Sequence, residues 1–254
     1  MYKILANTLF LGKKVIYMPS CHSTNDLGLQ IIQNTDTIEG TVIVTDDQKK
    51  GRGQRGNSWI SEPNKNLMLS IILKPSFVKP ADHFVLNMAV SLGVRATIAD
   101  FLPSTTCNVK WPNDLFIGRS KIAGILIENS VRSGSIENSV IGIGLNVNQL
   151  DFGGLEATSL LSENGGKKEF DRIHVFEQLI SNIEAQYLKV KSNKTQELKE
   201  YYLQHLLGFK QSMKFKSEYD FEGIIEGIDS NGRLMVGVNG KVEVFDFKEI
   251  EFLL

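Results

Sequence analysis

Two runs that read as strands, one over 41–47 containing Thr41-Val42-Ile43-Val44-Thr45 and the other Leu67-Met68-Leu69-Ser70-Ile71-Ile72-Leu73, flank the loop Gly51-Arg52-Gly53-Gln54-Arg55-Gly56-Asn57-Ser58-Trp59. Three glycines let this backbone take positive φ and approach a ligand closely, freeing N–H groups for anionic oxygens. The two guanidinium groups add charge and bidentate geometry. The loop is suited to holding an anion beside the flat Trp59 ring. Its spacing also fits Gly-x-Gly-x-x-Gly, but a dinucleotide site of that kind needs a helix opening at the glycines. Here Pro63, Asn64 and a second β run follow instead. The strand, loop, strand order argues against a nicotinamide or flavin site. On its own it also describes a basic hairpin turn.

A second basic segment breaks that tie. Lys110-Trp111-Pro112-Asn113-Asp114 leads through a turn at Gly118-Arg119-Ser120 into Lys121-Ile122-Ala123-Gly124-Ile125-Leu126-Ile127-Glu128. Asp114 to Ile117 and Ile122 to Ile127 read as paired strands, a hairpin carrying a lysine near each end. Standing alone, such lysines are ordinary edge charges. Taken with the loop, the set resembles the biotin protein ligases. Ser23-Thr24-Asn25, Gln48, the glycine loop, Lys110 to Asp114, Lys121 with Gly124-Ile125-Leu126, and Gly142-Ile143-Gly144-Leu145-Asn146 occur in that family's order, with Ala157-Thr158-Ser159-Leu160 after them.

The resemblance implies a mixed α/β catalytic domain, residues 1–207, with a sheet like that of class II aminoacyl-tRNA synthetases, and a small SH3-like β-barrel at 208–254. It implies ATP-dependent ligation of biotin to a lysine of a biotin carboxyl carrier domain of a biotin-dependent carboxylase, through biotinyl-5′-AMP and with Mg²⁺ on the phosphates. Lys121, Arg52 and Lys110 would be the catalytic cations. Ser23, Thr24, Asn25, Gln48, Gly53, Gln54 and Gly124 would hold biotin together with Arg52 and Lys121. Gly51, Arg55, Trp59, Asn113 and Asn146 would hold the nucleotide together with Arg52 and Lys110. The family loop carries arginines where this chain has Gln54 and Asn57. Lipoate or octanoate attachment on the same fold, or a non-catalytic biotin sensor, are the competing readings. The two lysines favour an enzyme. Many family members carry an N-terminal DNA-binding module, and Ser23 comes too early to leave room for one, so no DNA binding is expected. A monomer or homodimer is expected.

Composition sets outer bounds. With 254 residues and 42% hydrophobic content the chain is large enough for one sizeable core plus a small satellite. A net charge of −1 gives no basic field for nucleic acid. Cys21 and Cys107, the only cysteines, are too few for a disulfide scaffold, and His22, His83, His174 and His205 are scattered without metal-ligand spacing. Neither a signal peptide nor a membrane-spanning run is apparent, so a cytoplasmic protein is expected. Ser23 reads as the N-cap of a helix with Asp26 three residues on. Val85, Met88, Ala89, Leu92, Ala96 and Ala99 form one helical stripe ending before Pro103, and a long helix is expected from Ile173 to about Leu207. Beyond Gly208 come short β runs with a type I′ turn signal at Asn239-Gly240.

Overall fold

The computed structural model describes residues 2, 5, 7–34 and 36–254, with the Arg55 side chain outside that set. Seven strands form one mixed sheet: β1 (Val15–Met18), β2 (Thr41–Thr45), β5 (Leu67–Leu73), β6 (Cys107–Lys110), β7 (Asp114–Ile117), β8 (Ser120–Arg132) and β9 (Ser135–Leu145). Their order is β1-β2-β5-β9-β8-β7-β6, with β1 and β2 parallel and the other pairs antiparallel. The glycine loop projects from it as a two-stranded ribbon, β3 (Gly51–Arg52) with β4 (Ser58–Trp59), closed by a single 3₁₀ turn at Gln54–Gly56. A turn this short is no helix N-terminus, which agrees with the rejected dinucleotide reading.

The two faces of the sheet differ because residues alternate along each strand. One face buries Val42, Val44, Leu67, Leu69, Ile71, Ile141, Ile143 and Leu145 against α2 (Phe84–Phe101) and α4 (Arg172–Lys191), the single turn α3 (Leu160–Glu163) coming between them in the chain. There, a Cβ on Gly93 would stand 2.7 Å from Ile183 Cα, so glycine is what lets the two helices touch. The residues between, Ser70, Gly142 and Gly144, point to the opposite face. Helix α1 (Thr24–Asn34) lies there, with Gly28 set against Val140. Glycines alternating with aliphatics in Gly142-Ile143-Gly144-Leu145 thus give a strand that is core on one side and a bare floor on the other.

Helix α2 with its preceding turn, Pro80–Phe101, is long and apolar enough to cross a membrane, contrary to the sequence expectation, but it is mostly buried as the core helix of this fold. The long C-terminal helix is also not continuous. It breaks into α4 and α5 (Thr195–Gln204), because Asn193 takes φ 58 and the Lys194 N–H turns back to the Lys189 carbonyl at 2.9 Å. Buried Glu184 of α4 accepts the N–H groups of Leu9, Phe10 and Leu11 at 2.7, 2.8 and 2.9 Å, tying the N-terminal segment to the core.

After α5 the chain forms a second sheet from β10 (Ser212–Lys216), β11 (Asp220–Ile228), β12 (Leu234–Val238), β13 (Lys241–Phe245) and β14 (Glu251–Phe252). Asn239 and Gly240, at φ 50 and 78, make the expected tight turn between β12 and β13. The strand order β13-β12-β11-β10-β14 leaves β13 and β14 as edges, so the sheet is open and not the closed barrel expected. The two-residue β14 pairs only with β10, and that is too little strand to reach across to β13. This sheet docks through Phe247, whose ring lies 5.1 Å from that of Trp111 and 6.2 Å from Phe84, while the Trp111 indole N–H donates to the Gly232 carbonyl at 2.9 Å.

Candidate active site

The glycine face of the sheet carries the chemistry. A cavity of about 320 Å³ is floored by Gly124, Gly142 and Gly144, and the N-terminus of α1 forms one end of it. Ser23 Oγ accepts the Asp26 N–H at 3.4 Å, which starts the helix and leaves Thr24 and Asn25 buried at the cavity edge. Thr24 donates its N–H and its hydroxyl to Gln48 Oε1 at 2.9 and 3.2 Å. The Ser70 hydroxyl lies 2.7 Å from Thr24 Oγ1 and 2.6 Å from Asn25 Oδ1. This end is a neutral, hydrogen-bonded polar set, suited to a buried polar edge without formal charge.

Lys121 lines the same cavity, and a β-bulge places it there. Opposite β7, Phe116 pairs with Lys121 but Leu115 pairs with Ala123, so Ile122 is an extra residue and the alternation shifts. Without that shift Lys121 would share a face with buried Ala123 and Ile125. With it, the ammonium stands over Gly124, within 3.2 Å of where a Cβ there would be. The other edge of this segment is pinned as well: the Lys121 N–H donates to the Glu156 carbonyl at 3.0 Å, and the Thr158 N–H donates to the Lys121 carbonyl at 2.9 Å. The ammonium pairs with Asp114 at 2.7 Å and lies 5.6 Å from the Trp59 ring centre.

A second cavity of about 420 Å³ lies beyond Trp59 and Lys121, which line both. Lys110 and Asn146 face it, and Glu251 and Phe252 of the C-terminal sheet wall it. Burial lowers the Lys110 pKa from the ordinary lysine value, and the Lys121 charge pushes the same way against nearby Asp114. Its ammonium sits 5.0 Å from the Phe116 ring and 5.6 Å from that of Phe252. Buried Asn146 donates to the Thr158 carbonyl at 2.9 Å, and among the described residues neither its Oδ1 nor the buried Trp59 Nε1 has a partner. Two orphaned polar atoms on the walls of one cleft are what a site awaiting a hydrogen-bonding ligand presents.

Most residues singled out by sequence meet here. Ser23, Thr24, Asn25, Gln48, Arg52, Gly53, Gln54, Trp59, Asn113, Lys121 and Gly124 line the first cavity, and Lys110 and Asn146 the second. Gly51 lies at the foot of the ribbon, where a Cβ would stand 2.4 Å from the Trp59 carbonyl oxygen and 2.8 Å from Gln48 Nε2. The Asn113 side chain donates to the Ile125 carbonyl and braces the hairpin. The Arg55 side chain lies outside the described residues. The Arg52 guanidinium is engaged by two carboxylates, Asp26 and Glu128. Asp114 and Gly142 stand in motifs quoted above without a role, and Ser70, Glu128 and Phe247 are additions. The place of Asp114 could have been found from its position four residues after Lys110 across a tight hairpin; Ser70, Glu128 and Phe247 join only in three dimensions. Among the described residues no group of three or more His, Cys, Asp or Glu is arranged to hold a metal ion.

Residues 17–146 match the model of the biotin/lipoate A/B protein ligase family. A biotin--[acetyl-CoA-carboxylase] ligase of Mycobacterium tuberculosis is 30% identical over 91% of this chain and 86% of its own length. The bifunctional ligase/repressor BirA of Bacillus subtilis is 28% identical over 96% of this chain and 75% of its own. In structure, the biotin protein ligase of Aquifex aeolicus in complex with biotin and ATP superposes with a TM-score of 0.78 at 24% identity, covering 94% of this chain and 98% of that one. That likeness is one of fold.

Proposed function

The chain belongs to the biotin/lipoate A/B protein ligase family, and from that premise we infer how its two cavities divide the work of an ATP-dependent ligase that joins biotin to protein through biotinyl-5′-AMP. One observation carries the reading. A pocket with a neutral polar end and a pocket with a cation and an unsatisfied amide oxygen meet at Trp59 and Lys121, which line both. Biotin has a neutral polar ureido ring at one end and a carboxylate at the other. Thr24, Gln48 and Ser23 suit the first, and Lys121 stands where the second would end. ATP, with Mg²⁺ on its phosphates, belongs beyond the wall, its adenine against Trp59 and Asn146 and its phosphates toward Lys110.

The first step joins the biotin carboxylate to the α-phosphorus and expels pyrophosphate. Both reactants are anionic and the protein need supply no covalent chemistry, so catalysis is positioning plus cations. Lys121 neutralises the carboxylate during attack and stabilises the carbonyl oxygen of the mixed anhydride. In the second step the neutral amine of an acceptor lysine attacks that carbonyl and AMP leaves. The acceptor is a biotin carboxyl carrier domain in a cytoplasmic setting. Residues 1–207 form the catalytic unit, and 208–254 a separate module that closes the nucleotide side with Phe252.

Exchange of labelled pyrophosphate into ATP tests the assignment. It should depend on biotin and Mg²⁺, whereas lipoate and octanoate should not support it. Exchange with octanoate and none with biotin would overturn the reading.

A further inference from the structure

The most heavily bonded carboxylate near the cavities belongs to Glu128, a residue on β8 that no motif marks. It accepts from both arms of Arg52, Nη2 to Oε1 at 2.7 Å and Nη1 to Oε2 at 3.2 Å, and from Asn25 Nδ2 at 2.9 Å. Arg52 Nη1 also donates to Asp26 Oδ1. One guanidinium thus faces two carboxylates, +1 against −2, which leaves the cluster at −1. Arg52 lines the first cavity and the two carboxylates do not, so they stand behind the guanidinium and offset its charge toward an incoming carboxylate or phosphate. Releasing Arg52 to the ligand would also leave two carboxylates without their partner, a cost larger than one new bond recovers.

The bonds continue from Glu128 back to the base of the loop. Asn25 meets Ser70 at 2.6 Å, Ser70 meets Thr24 at 2.7 Å, and Thr24 meets Gln48 at 2.9 Å. Gln48 lies three residues before Gly51, where the ribbon carrying Arg52 begins. The circuit is closed: it fixes the polar residues of the first cavity and the glycine ribbon relative to each other. Gly142 makes it possible, since a Cβ there would stand 2.3 Å from Asn25 Oδ1.

We propose that Glu128, with Asp26, is a positioning residue for the ligation: it holds the Arg52 guanidinium at the cavity wall with its charge already paired, so that Arg52 places the loop and the Thr24–Gln48 polar set and does not act as a cation on the reacting groups. This rests on the biotin-ligase reading and reassigns Arg52 within it. Among the described residues, the cations left to face the adenylate are Lys121 and Lys110.

Glu128→Gln is the direct test, because it keeps the shape of the side chain. Its amide oxygen can take the place of Oε2, keeping Asn25 and Arg52 Nη1 but turning N–H toward Arg52 Nη2, or the place of Oε1, turning N–H toward both Asn25 and Arg52 Nη1; either way donor is set against donor at Arg52. Steady-state pyrophosphate exchange should show the KM for biotin rising by about tenfold, the size of one lost charge-assisted bond, with kcat and the KM for ATP changed far less. A merely structural lesion would lower kcat and both affinities together. Arg52→Ala, Glu128→Ala and the double variant should raise the biotin KM to the same extent, since each opens one circuit. Two results overturn the proposal: an unchanged biotin KM in Glu128→Gln, or a loss of kcat in Arg52→Ala that far exceeds that of Glu128→Ala and multiplies with it in the double variant. The second would show the guanidinium touching the reacting groups. Should Glu128→Gln melt before it can be assayed, Asp26→Asn on the exposed side of the clamp carries the same test. The wild type is the control for the underlying reading: if it does not exchange with biotin, that reading fails, and the proposal with it, before any variant is compared.

Discussion

The indole of Trp59 takes the space a side chain at residue 144 would need: a Cβ on Gly144 would stand 2.3 Å from Trp59 Cε2. Gly124, paired across from Gly144, leaves the same ring a further seat at 3.1 Å. The wall between the two cavities therefore rests on two missing side chains. Gly144→Ala should eject the indole and cost on the order of 10² in adenylate formation, as a displacement of about 1 Å in a positioned group does. The other tryptophan, Trp111, is buried against the C-terminal sheet, so a red-shifted emission in Gly144→Ala would report Trp59 leaving its seat. Wild-type emission and wild-type rate together would show that the ring does not rest there.

Lys121 offers a cleaner chemical test, because its backbone is held on both edges while its ammonium meets Asp114 alone among the described carboxylates. Lys121→Ala should lower adenylate formation on the order of 10² to 10³, the range for deleting one preorganised charge-stabilising donor. Single-turnover formation of labelled biotinyl-5′-AMP at saturating substrates measures it. Near-normal turnover would remove Lys121 from the reaction.

A third expectation concerns pH. Burial raises the pKa of Tyr202 above the ordinary value, pushes Tyr2 up to about 12, and raises Tyr187, whose hydroxyl also donates to Glu39. A group with a raised native pKa contributes stability that is intact below its unfolded value, about 10 for tyrosine, and is lost as pH climbs through the native value. The fold should therefore weaken steadily above about pH 10. The Tyr202 hydroxyl is buried with no partner among the described residues, so Tyr202→Phe should be neutral or stabilising by about 1 kcal/mol at pH 7 and should move the alkaline unfolding midpoint upward. Urea unfolding at pH 7 and pH 11 decides it. A variant weaker at both values would mean that the hydroxyl is bonded after all.

How much of this could be read from the chain depends on the range of each interaction. β5 matches its sequence reading at both ends, Leu67 and Leu73, because a fully buried strand is a continuous apolar run bounded by polar residues. Helix α2 follows its stripe to the residue before Leu102 and Pro103 for the same local reason. Thr24, Gln48, Trp59 and Lys121 were legible because each sits in a motif with fixed spacing. Glu128 was not: nothing in Ile127-Glu128-Asn129 says that its carboxylate meets an arginine 76 positions earlier. The bulge that turns Lys121 toward the cavity was equally hidden, since hydrophobic alternation continues through Ile122 and Ala123. The helix break at Asn193 and the open edge of the C-terminal sheet fail for a related reason. Both turn on one residue's backbone angle or on the length of a two-residue strand, which composition does not encode.

The loop itself carries the remaining difference from the family pattern. Gln54 and Asn57 stand where arginines are usual, and both line the first cavity, at the start and just after the end of the 3₁₀ turn. With Arg52 paired to Asp26 and Glu128, the loop side chains described as lining that cavity have neutral donors to offer a ligand. Neutral hydrogen bonds are roughly half as strong as charge-assisted ones, so this chain should hold its anionic intermediate loosely. Gln54→Arg should slow the release of biotinyl-5′-AMP by about fivefold, equivalent to about 1 kcal/mol, without abolishing transfer to an acceptor lysine. Asn57→Arg lies beyond the turn and should act in the same direction. Release rates of preformed, labelled adenylate from the three proteins, followed without acceptor, make the comparison direct. A Gln54→Arg rate equal to or faster than wild type would mean that residue 54 does not touch the intermediate, and that the loop grips it through backbone N–H groups alone.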